Sequence, residues 1–126
     1  MLHDDSFNFS FSGLKTALIN CVDKDKYNFE DIAASYQEAI VDTLITKFDN
    51  ALNKFSANSG IICGGVAANK RLREKLSNLD KKIIYPSMKY CTDNADMIAF
   101  LAEHKIKNKK VNFDKDFSAY SRGMIV

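Results

Sequence analysis

The chain of 126 residues lacks the features that mark several classes of protein. No apolar run approaches the roughly 18 residues that a membrane helix needs, so we expect no membrane span and no membrane partner. The 18 basic and 16 acidic residues leave a net charge of +2, which is too small by itself to indicate nucleic-acid binding. An apolar content of 46% is too high for a disordered chain, so the composition predicts a folded domain.

Cysteine and histidine are scarce and poorly spaced for a site. Cys21, Cys63 and Cys91 are odd in number and form no C-x-x-C pair, which excludes a disulfide framework and a zinc finger. We expect buried free thiols in a reducing compartment. The two histidines, His3 and His104, form no H-x-x-x-H pair, so this chain carries no self-sufficient metal site. No basic region followed by an apolar one opens the chain, which predicts no signal peptide and a cytoplasmic location.

Proline and glycine are also rare, since there is one proline and there are five glycines, two of them adjacent. Between these few breaks the hydrophobic pattern predicts alternating strands and helices. Residues Phe7–Phe11 alternate as a strand does, and a helix from about Gly13 to Val22 follows with Ser12 as its N-cap. Apolar residues recur every four positions over about Phe29–Phe55, which predicts one long helix. The unbroken apolar run Gly60–Cys63 predicts a strand buried on both faces of a sheet.

The second half of the chain continues the alternation. It predicts a helix over Val66–Leu76, a strand over Lys82–Tyr85, and a helix that begins at Thr92 or Asp93 and ends near Lys107. We expect residues 110–126 to form a tail packed on the domain. This order predicts an α/β fold with right-handed crossovers, as one domain that spans residues 1–126.

Two glycines stand where a strand gives way to a helix, in the run C-G-G-V-A-A-N-K-R-L-R over Cys63–Arg73. Open α/β sheets bind ligands at the carboxyl ends of their strands, and glycine lets a ligand approach the backbone. Asn69, about one turn into the helix, can hydrogen-bond a ribose or a base. The run matches neither a P-loop nor a dinucleotide fingerprint. A tight turn that binds nothing is the simpler explanation, and the pattern leaves both open.

Two other junctions carry polar side chains next to a predicted helix. In C-T-D-N-A-D-M-I-A over Cys91–Ala99, Asp93 and Asn94 either cap the helix or supply one carboxylate to a metal ion. In F-S-F-S-G-L-K-T over Phe9–Thr16, Lys15 either reaches a phosphate or is an ordinary solvated lysine. Spacing alone does not separate these alternatives.

Taken in order, the three motifs resemble those of the TsaD family, the tRNA threonylcarbamoyladenosine transferases. An older name for that family is glycoprotease or O-sialoglycoprotein endopeptidase. The resemblance extends from about Asp5 to the end of the chain. It implies the actin-like ATPase fold of sugar kinases and Hsp70, built from two ribonuclease-H-like lobes. This chain resembles the C-terminal lobe only, with a mixed sheet and packed helices.

The resemblance also implies a role for particular residues. Gly64 and Gly65 would line a nucleotide pocket, and Asn69 would contact the adenosine part of the substrate. Asp93 would be the third protein ligand of one iron or zinc ion per full-length subunit. The remaining ligands, the paired histidines of an H-x-x-x-H motif, are absent from this chain.

Three further positions take no firm role from the resemblance. The segment that holds Ser12 and Lys15 would lie near the cleft between the lobes. The family has a small residue before Met97, whereas this chain has Asp96, three positions after Asp93. Residues at that spacing are neighbours on a helix, so Asp96 either perturbs the metal site or points to solvent.

The implied reaction moves a threonylcarbamoyl group from threonylcarbamoyl-adenylate to N6 of the adenosine that follows the anticodon. tRNA and the other proteins of the threonylcarbamoyladenosine synthesis complex would be partners. A basic stretch can meet tRNA phosphates or be a solvated face, and its members are Lys70, Arg71, Arg73 and Lys75. We expect the chain alone to be inactive, because one wall of the cleft would be missing.

Two alternatives remain at this point. One is the metal-dependent (sialo)glycoprotein endopeptidase of the older name, although the chain has no H-E-x-x-H motif. The other is a non-catalytic lobe that self-associates, as a homodimer for example, through hydrophobic surface left bare by a missing lobe.

Overall fold

Four α-helices and a two-stranded parallel sheet make up the part of the chain that the computed structural model describes, residues 6–22 and 26–110. The α/β class is therefore confirmed. Its elements are α1 (Phe11–Cys21), α2 (Phe29–Lys54), β1 (Ser59–Ile61), a 3₁₀ turn (Gly65–Ala68), α3 (Lys70–Leu76), β2 (Lys82–Ile84), a second 3₁₀ turn (Met88–Tyr90) and α4 (Ala95–Lys107).

The described residues divide between Asp93 and Asn94 into two units, and α4 is the helix of the second. In neither unit is any described helix long and apolar enough to cross a membrane. Of the predicted tail at 110–126, all but residue 110 lies outside the described residues.

The predicted first strand is wrong. Residues 7–10 have no regular structure, and Phe11 already belongs to α1. The N-cap is Ser10 rather than Ser12, because the Ser10 hydroxyl accepts from the Gly13 backbone N–H at 3.4 Å. A strand needs a neighbouring strand for its backbone hydrogen bonds, and no described strand pairs with this segment.

Side-chain contacts, rather than a sheet, account for the aromatic residues near the start of α1. The rings of Phe9 and Phe11 stack with centroids 5.7 Å apart, and Phe7 lies 5.7 Å from Phe55. The buried ammonium of Lys47, on α2, donates to the backbone carbonyl of Ser6. The contacts of Ser6 and Phe7 hold the start of this segment against α2 and its C-cap Phe55.

The long central helix is confirmed, with its end at Lys54 instead of Phe55. Asn28 caps it, since its Oδ1 accepts from the Asp31 backbone N–H at 2.8 Å. The acidic residues of the first turn, Glu30 and Asp31, stabilise the helix because their negative charges interact favourably with the positive end of its dipole. On its buried face, Val41 forms the core together with Leu72 and Leu76 of α3.

The two strands pair in parallel, with Gly60 opposite Ile83. The 3₁₀ turn and α3 supply the crossover that a parallel pair requires. The prediction that β1 is buried on both faces is wrong, because Gly60 is buried whereas Ile61 is 69% exposed. Gly60 packs against the Phe48 ring of α2, whereas the side chain of Ile61 is largely exposed. The right-handed crossover and the mixed sheet stay predictions.

The prediction of buried thiols holds for one cysteine only. Cys91 is buried, whereas Cys21 and Cys63 are exposed. The two exposed thiols lie where packing is thin, since Cys21 ends a helix with no buried residue and Cys63 follows the open strand β1.

Candidate functional site

The two adjacent glycines lie just beyond β1, and each has a different structural reason. Gly64 has φ +86° and ψ 179°, a conformation that L side chains rarely adopt, so the chain path itself requires glycine there. A Cβ atom added to Gly65 would meet no heavy atom within 4 Å. Packing among the described residues therefore does not explain Gly65. Its backbone is open on the side from which a ligand could approach.

Asn69 does not lie one turn into a helix. The predicted helix over Val66–Leu76 is instead a 3₁₀ turn followed by α3, and Asn69 is the N-cap of α3. Its Oδ1 accepts from the Leu72 backbone N–H at 3.0 Å, and its Nδ2 donates to Gln37 Oε1 at 3.1 Å. Asparagine is one of the residues most favoured at an N-cap, which explains why α3 begins directly after it. The second hydrogen of Nδ2 is what the amide can still offer a ligand.

Arg73 connects the 3₁₀ turn that holds Ala67 to the segment from Pro86 to Cys91, and the sequence did not predict this role. Its Nε donates to the Ala67 carbonyl at 2.6 Å, and its Nη2 donates to the Pro86 carbonyl at 2.7 Å and to Cys91 Sγ at 3.1 Å. The guanidinium also lies over the ring of Tyr85, 4.4 Å from its centroid. The only sequence signal is spacing, because Arg73 precedes the buried Leu76 by three positions and so shares its side of α3.

Ion pairs occupy two other basic residues of α3. Arg71 donates to both carboxylate oxygens of Glu38 at 2.8 Å and pairs with Glu74 at 2.8 Å. Lys75 pairs with Glu38 at 2.5 Å and with Asp42. Hydrogen bonds from Arg71, and then from Lys75, lower the pKa of Glu38 to about 2. The same contacts raise the pKa of Arg71 and of Lys75, through Glu38 and Asp42 respectively as the largest cause.

This pairing bears on the predicted tRNA-facing stretch at Lys70, Arg71, Arg73 and Lys75. Three of the four side chains are engaged within their own unit, and Lys70 is exposed. A surface that neutralises phosphates needs available cations, but carboxylates neutralise Arg71 and Lys75, and Arg73 donates to backbone and thiol acceptors. The arrangement therefore favours the alternative of a solvated and internally paired face.

Asp93 is exposed and stands just before α4. The N-cap of that helix is Asn94, whose Oδ1 accepts from the Met97 backbone N–H at 3.0 Å, so the predicted cap at Thr92 or Asp93 is wrong by one or two positions. Asp96 lies in the first turn of α4, where a carboxylate favours the helix N-terminus.

No described cluster of three or more histidine, cysteine, aspartate or glutamate residues is placed to hold a metal ion. One carboxylate does not hold such an ion by itself. The described residues therefore do not fit a complete iron or zinc site, and the metal role of Asp93 stays a prediction.

An open apolar groove of about 410 Å³ adjoins the glycine junction in the same unit. Among its lining residues are Phe9, Phe11, Leu44, Phe48, Ile61 and Val66. Ser12 and Lys15 lie on the adjacent helix α1 and are exposed. The interlobe position inferred for them stays a prediction.

Comparison with known proteins gives one consistent family. A family model described as tRNA N6-adenosine threonylcarbamoyltransferase matches residues 2–100. The proteins of that name from Sulfurihydrogenibium sp., Mycoplasmopsis synoviae and Fusobacterium nucleatum are 41%, 49% and 47% identical to this chain over 120, 102 and 113 residues. These alignments cover 94%, 80% and 82% of this chain but 36%, 33% and 33% of the relatives. The chain thus spans about a third of the length of the curated relatives it matches.

Proposed function

Because the chain belongs to the TsaD family of tRNA N6-adenosine threonylcarbamoyltransferases, we propose that it is the C-terminal, actin-like lobe of a tRNA-modifying acyltransferase. In the proposed reaction the N6 amine of the adenosine after the anticodon attacks the carbamoyl carbon of threonylcarbamoyl-adenylate. A new C–N bond forms, the bond from that carbon to the phosphate oxygen breaks, and AMP leaves. The N6 amine loses one proton in the same exchange.

The open backbone at Gly65 is the observation that carries this proposal for the present chain. It follows β1, so it stands at the carboxyl end of a parallel strand, where α/β sheets bind their ligands. Gly64 turns the chain there in a conformation open mainly to glycine, and nothing within the described residues fills the space beside Gly65. The adenylate of the donor would lie against this backbone.

Two side chains would complete the contacts from this lobe. Asn69 would donate its second Nδ2 hydrogen to the adenosine while Oδ1 continues to cap α3. Asp93 would give one carboxylate to the iron or zinc ion, whose other ligands come from outside this chain. tRNA and the partner proteins of the synthesis complex would meet surfaces of the assembled enzyme.

A titration with AMP tests the nucleotide site in this chain. Chemical-shift changes at the amides of residues 64–69 should show weak, saturable binding of AMP. Gly65→Val should abolish it, because a branched side chain would stand where the nucleotide lies. Asn78→Val, an exposed position beyond α3, is the control and should bind AMP as the original chain does. Equal binding by Gly65→Val would remove the glycine junction from the proposed function.

The apolar groove favours a second proposal, self-association of the isolated chain. β1 carries an exposed Ile61, and the sheet formed by the described residues has only two strands, which is fewer than an independent sheet needs. A second copy that covers the groove would bury this surface. Sedimentation should show a concentration-dependent dimer that Ile61→Lys weakens, and a strict monomer at high concentration would contradict this.

A further inference from the structure

Two short segments that are distant in sequence receive hydrogen bonds from one side chain. The Arg73 guanidinium binds the Ala67 carbonyl of the first 3₁₀ turn, and it binds the Pro86 carbonyl and the Cys91 thiol on the segment that follows β2. Each segment has few backbone hydrogen bonds of its own, since the described ones join residues only three positions apart. Such 3₁₀ turns are weak in isolation, so an outside contact decides how firmly they are held.

The bonded atoms lie close to both predicted ligand contacts. Asn69 follows Ala67 by two residues, and Asp93 follows Cys91 by two residues. Two residues of chain reach about 7 Å at most. Arg73 therefore bonds each segment at a residue that lies within about 7 Å of one predicted ligand contact. That contact is Asn69 for the first segment and Asp93 for the second.

The arrangement needs an arginine rather than any cation. Nε and Nη2 donate in different directions from one planar group while that plane lies over the Tyr85 ring. A lysine ammonium is a single point of charge and offers neither the fork nor the stacking plane. Charge alone would consequently not reproduce the contacts.

We propose that Arg73 is a positioning residue that holds the Gly65–Ala68 turn and the 86–91 segment in one fixed arrangement. Its effect on the reaction rests on the proposed function, because Arg73 would fix the position of the backbone at Gly65, where the adenylate would lie, relative to the Asp93 carboxylate. Its mechanical effect does not, and it can be measured without any ligand.

Amide hydrogen exchange in the chain measures that mechanical effect. Ala67 and Asn69 report on the first turn, and Tyr90 and Cys91 report on the second, since all four amides are hydrogen-bonded. Arg73→Lys should raise exchange at both pairs by about tenfold or more, because hydrogen bonds to a charged group are lost. Arg71→Lys is the matched control on the same helix, since Arg71 binds Glu38 instead, and it should change neither pair.

A second variant guards against global unfolding. Tyr85→Leu removes the ring under the guanidinium and leaves every hydrogen-bond acceptor in place. It should raise exchange at both pairs by a smaller factor while the amides of α2 stay protected. Faster exchange at one pair only, or an Arg73→Lys variant whose exchange at both pairs is unchanged, would overturn the proposal.

AMP titration then separates this proposal from the proposed function. Arg73→Lys should weaken AMP binding several-fold, whereas Arg71→Lys should leave it unchanged. If the original chain binds no AMP, the nucleotide site fails, and the exchange result still decides whether Arg73 couples the two segments. If AMP binds equally to all variants while exchange rises at both pairs, Arg73 holds the two segments together but does not position the nucleotide site, and its proposed effect on the reaction is wrong.

Discussion

The carboxylate of Glu38 on α2 accepts two parallel hydrogen bonds from the guanidinium of Arg71 on α3, each 2.8 Å long. Lys75 adds a third cationic contact to the same carboxylate. The pair joins the long helix to the short helix that follows the glycine junction. It therefore connects α2, the longest helix of the unit, to the region of the candidate site.

This relationship predicts how stability changes in acid. The pKa of Glu38 falls from its ordinary 4.5 to about 2 in the folded chain, with the Arg71 hydrogen bond as the largest cause. A lowered pKa means that the contribution is complete above about pH 4.5 and is lost as the pH falls toward about 2. The melting temperature of Glu38→Gln should accordingly lie below that of the original chain near neutral pH and approach it in acid.

Glu103→Gln is the control for the acid titration, because it removes an exposed carboxylate that pairs with Lys107 inside α4. Its melting temperature should follow that of the original chain at every pH. A gap between Glu38→Gln and the original chain that stays constant down to about pH 2 would contradict the assignment to this carboxylate.

Gly60 should not tolerate alanine. A Cβ atom there would lie 2.3 Å from Phe48 Cζ and 3.1 Å from Leu52 Cδ2, so the ring of Phe48 has to move. We expect Gly60→Ala to lower the free energy of unfolding by about 1–3 kcal/mol in a urea titration. Gly65→Ala is the matched control, since no heavy atom lies within 4 Å of its added Cβ. A Gly65→Ala variant that is the less stable of the two would show that the packing is different.

Gly64 should tolerate neither alanine nor asparagine. Asparagine often replaces glycine in the left-handed helical region, but Gly64 combines φ +86° with ψ 179° and so lies outside it. We expect either substitution to cost roughly 1–3 kcal/mol of unfolding free energy. Asparagine at full stability would mean that the turn adopts the left-handed helical conformation instead.

The isolated chain should not transfer a threonylcarbamoyl group to tRNA. Its described residues offer the open backbone at Gly65 and no cluster that could hold a metal ion, whereas group transfer requires the donor and the acceptor to be held together in one geometry. Incubation with synthetic threonylcarbamoyl-adenylate and tRNA, followed by nucleoside analysis, should reveal no modified adenosine. Turnover above a no-protein control would refute this expectation.

Periodicity was sufficient where one helix buries one continuous face. The spacing of four over 29–55 predicts α2 almost to its ends, because Leu44 and Phe48, which follow that spacing, pack against the core that Val41 forms with α3. Alternation was misleading at Phe7–Phe11, because aromatic residues alternate there and no strand within residues 6–22 and 26–110 pairs with them. A pattern shows which side chains can share a face, and it does not show whether a partner strand exists.

The candidate site shows the same division. The glycine pair could be identified from sequence because Gly64 requires a conformation that other residues rarely adopt. The contacts of Arg73 and Asn69 could not be identified from sequence, since only the fold brings their partners close. These partners are the Pro86 carbonyl for Arg73 and Gln37 for Asn69. A run of basic residues in sequence does not distinguish a side chain that binds backbone from one that faces solvent.

One substitution cannot separate the helix-cap role of Asn69 from its proposed contact with adenosine, but two substitutions can. Asn69→Ala removes the cap of α3 and should cost about 1 kcal/mol of unfolding free energy. Asn69→Ser keeps an oxygen for the Leu72 N–H but removes Nδ2, so its stability should lie within about 0.5 kcal/mol of the original. Both variants should bind AMP more weakly in calorimetry, if the amide contacts adenosine. Gln37→Ala, which removes only the present partner of Nδ2, should bind AMP unchanged. A serine variant that is stable and binds AMP with undiminished affinity would leave Asn69 as a helix cap and nothing more.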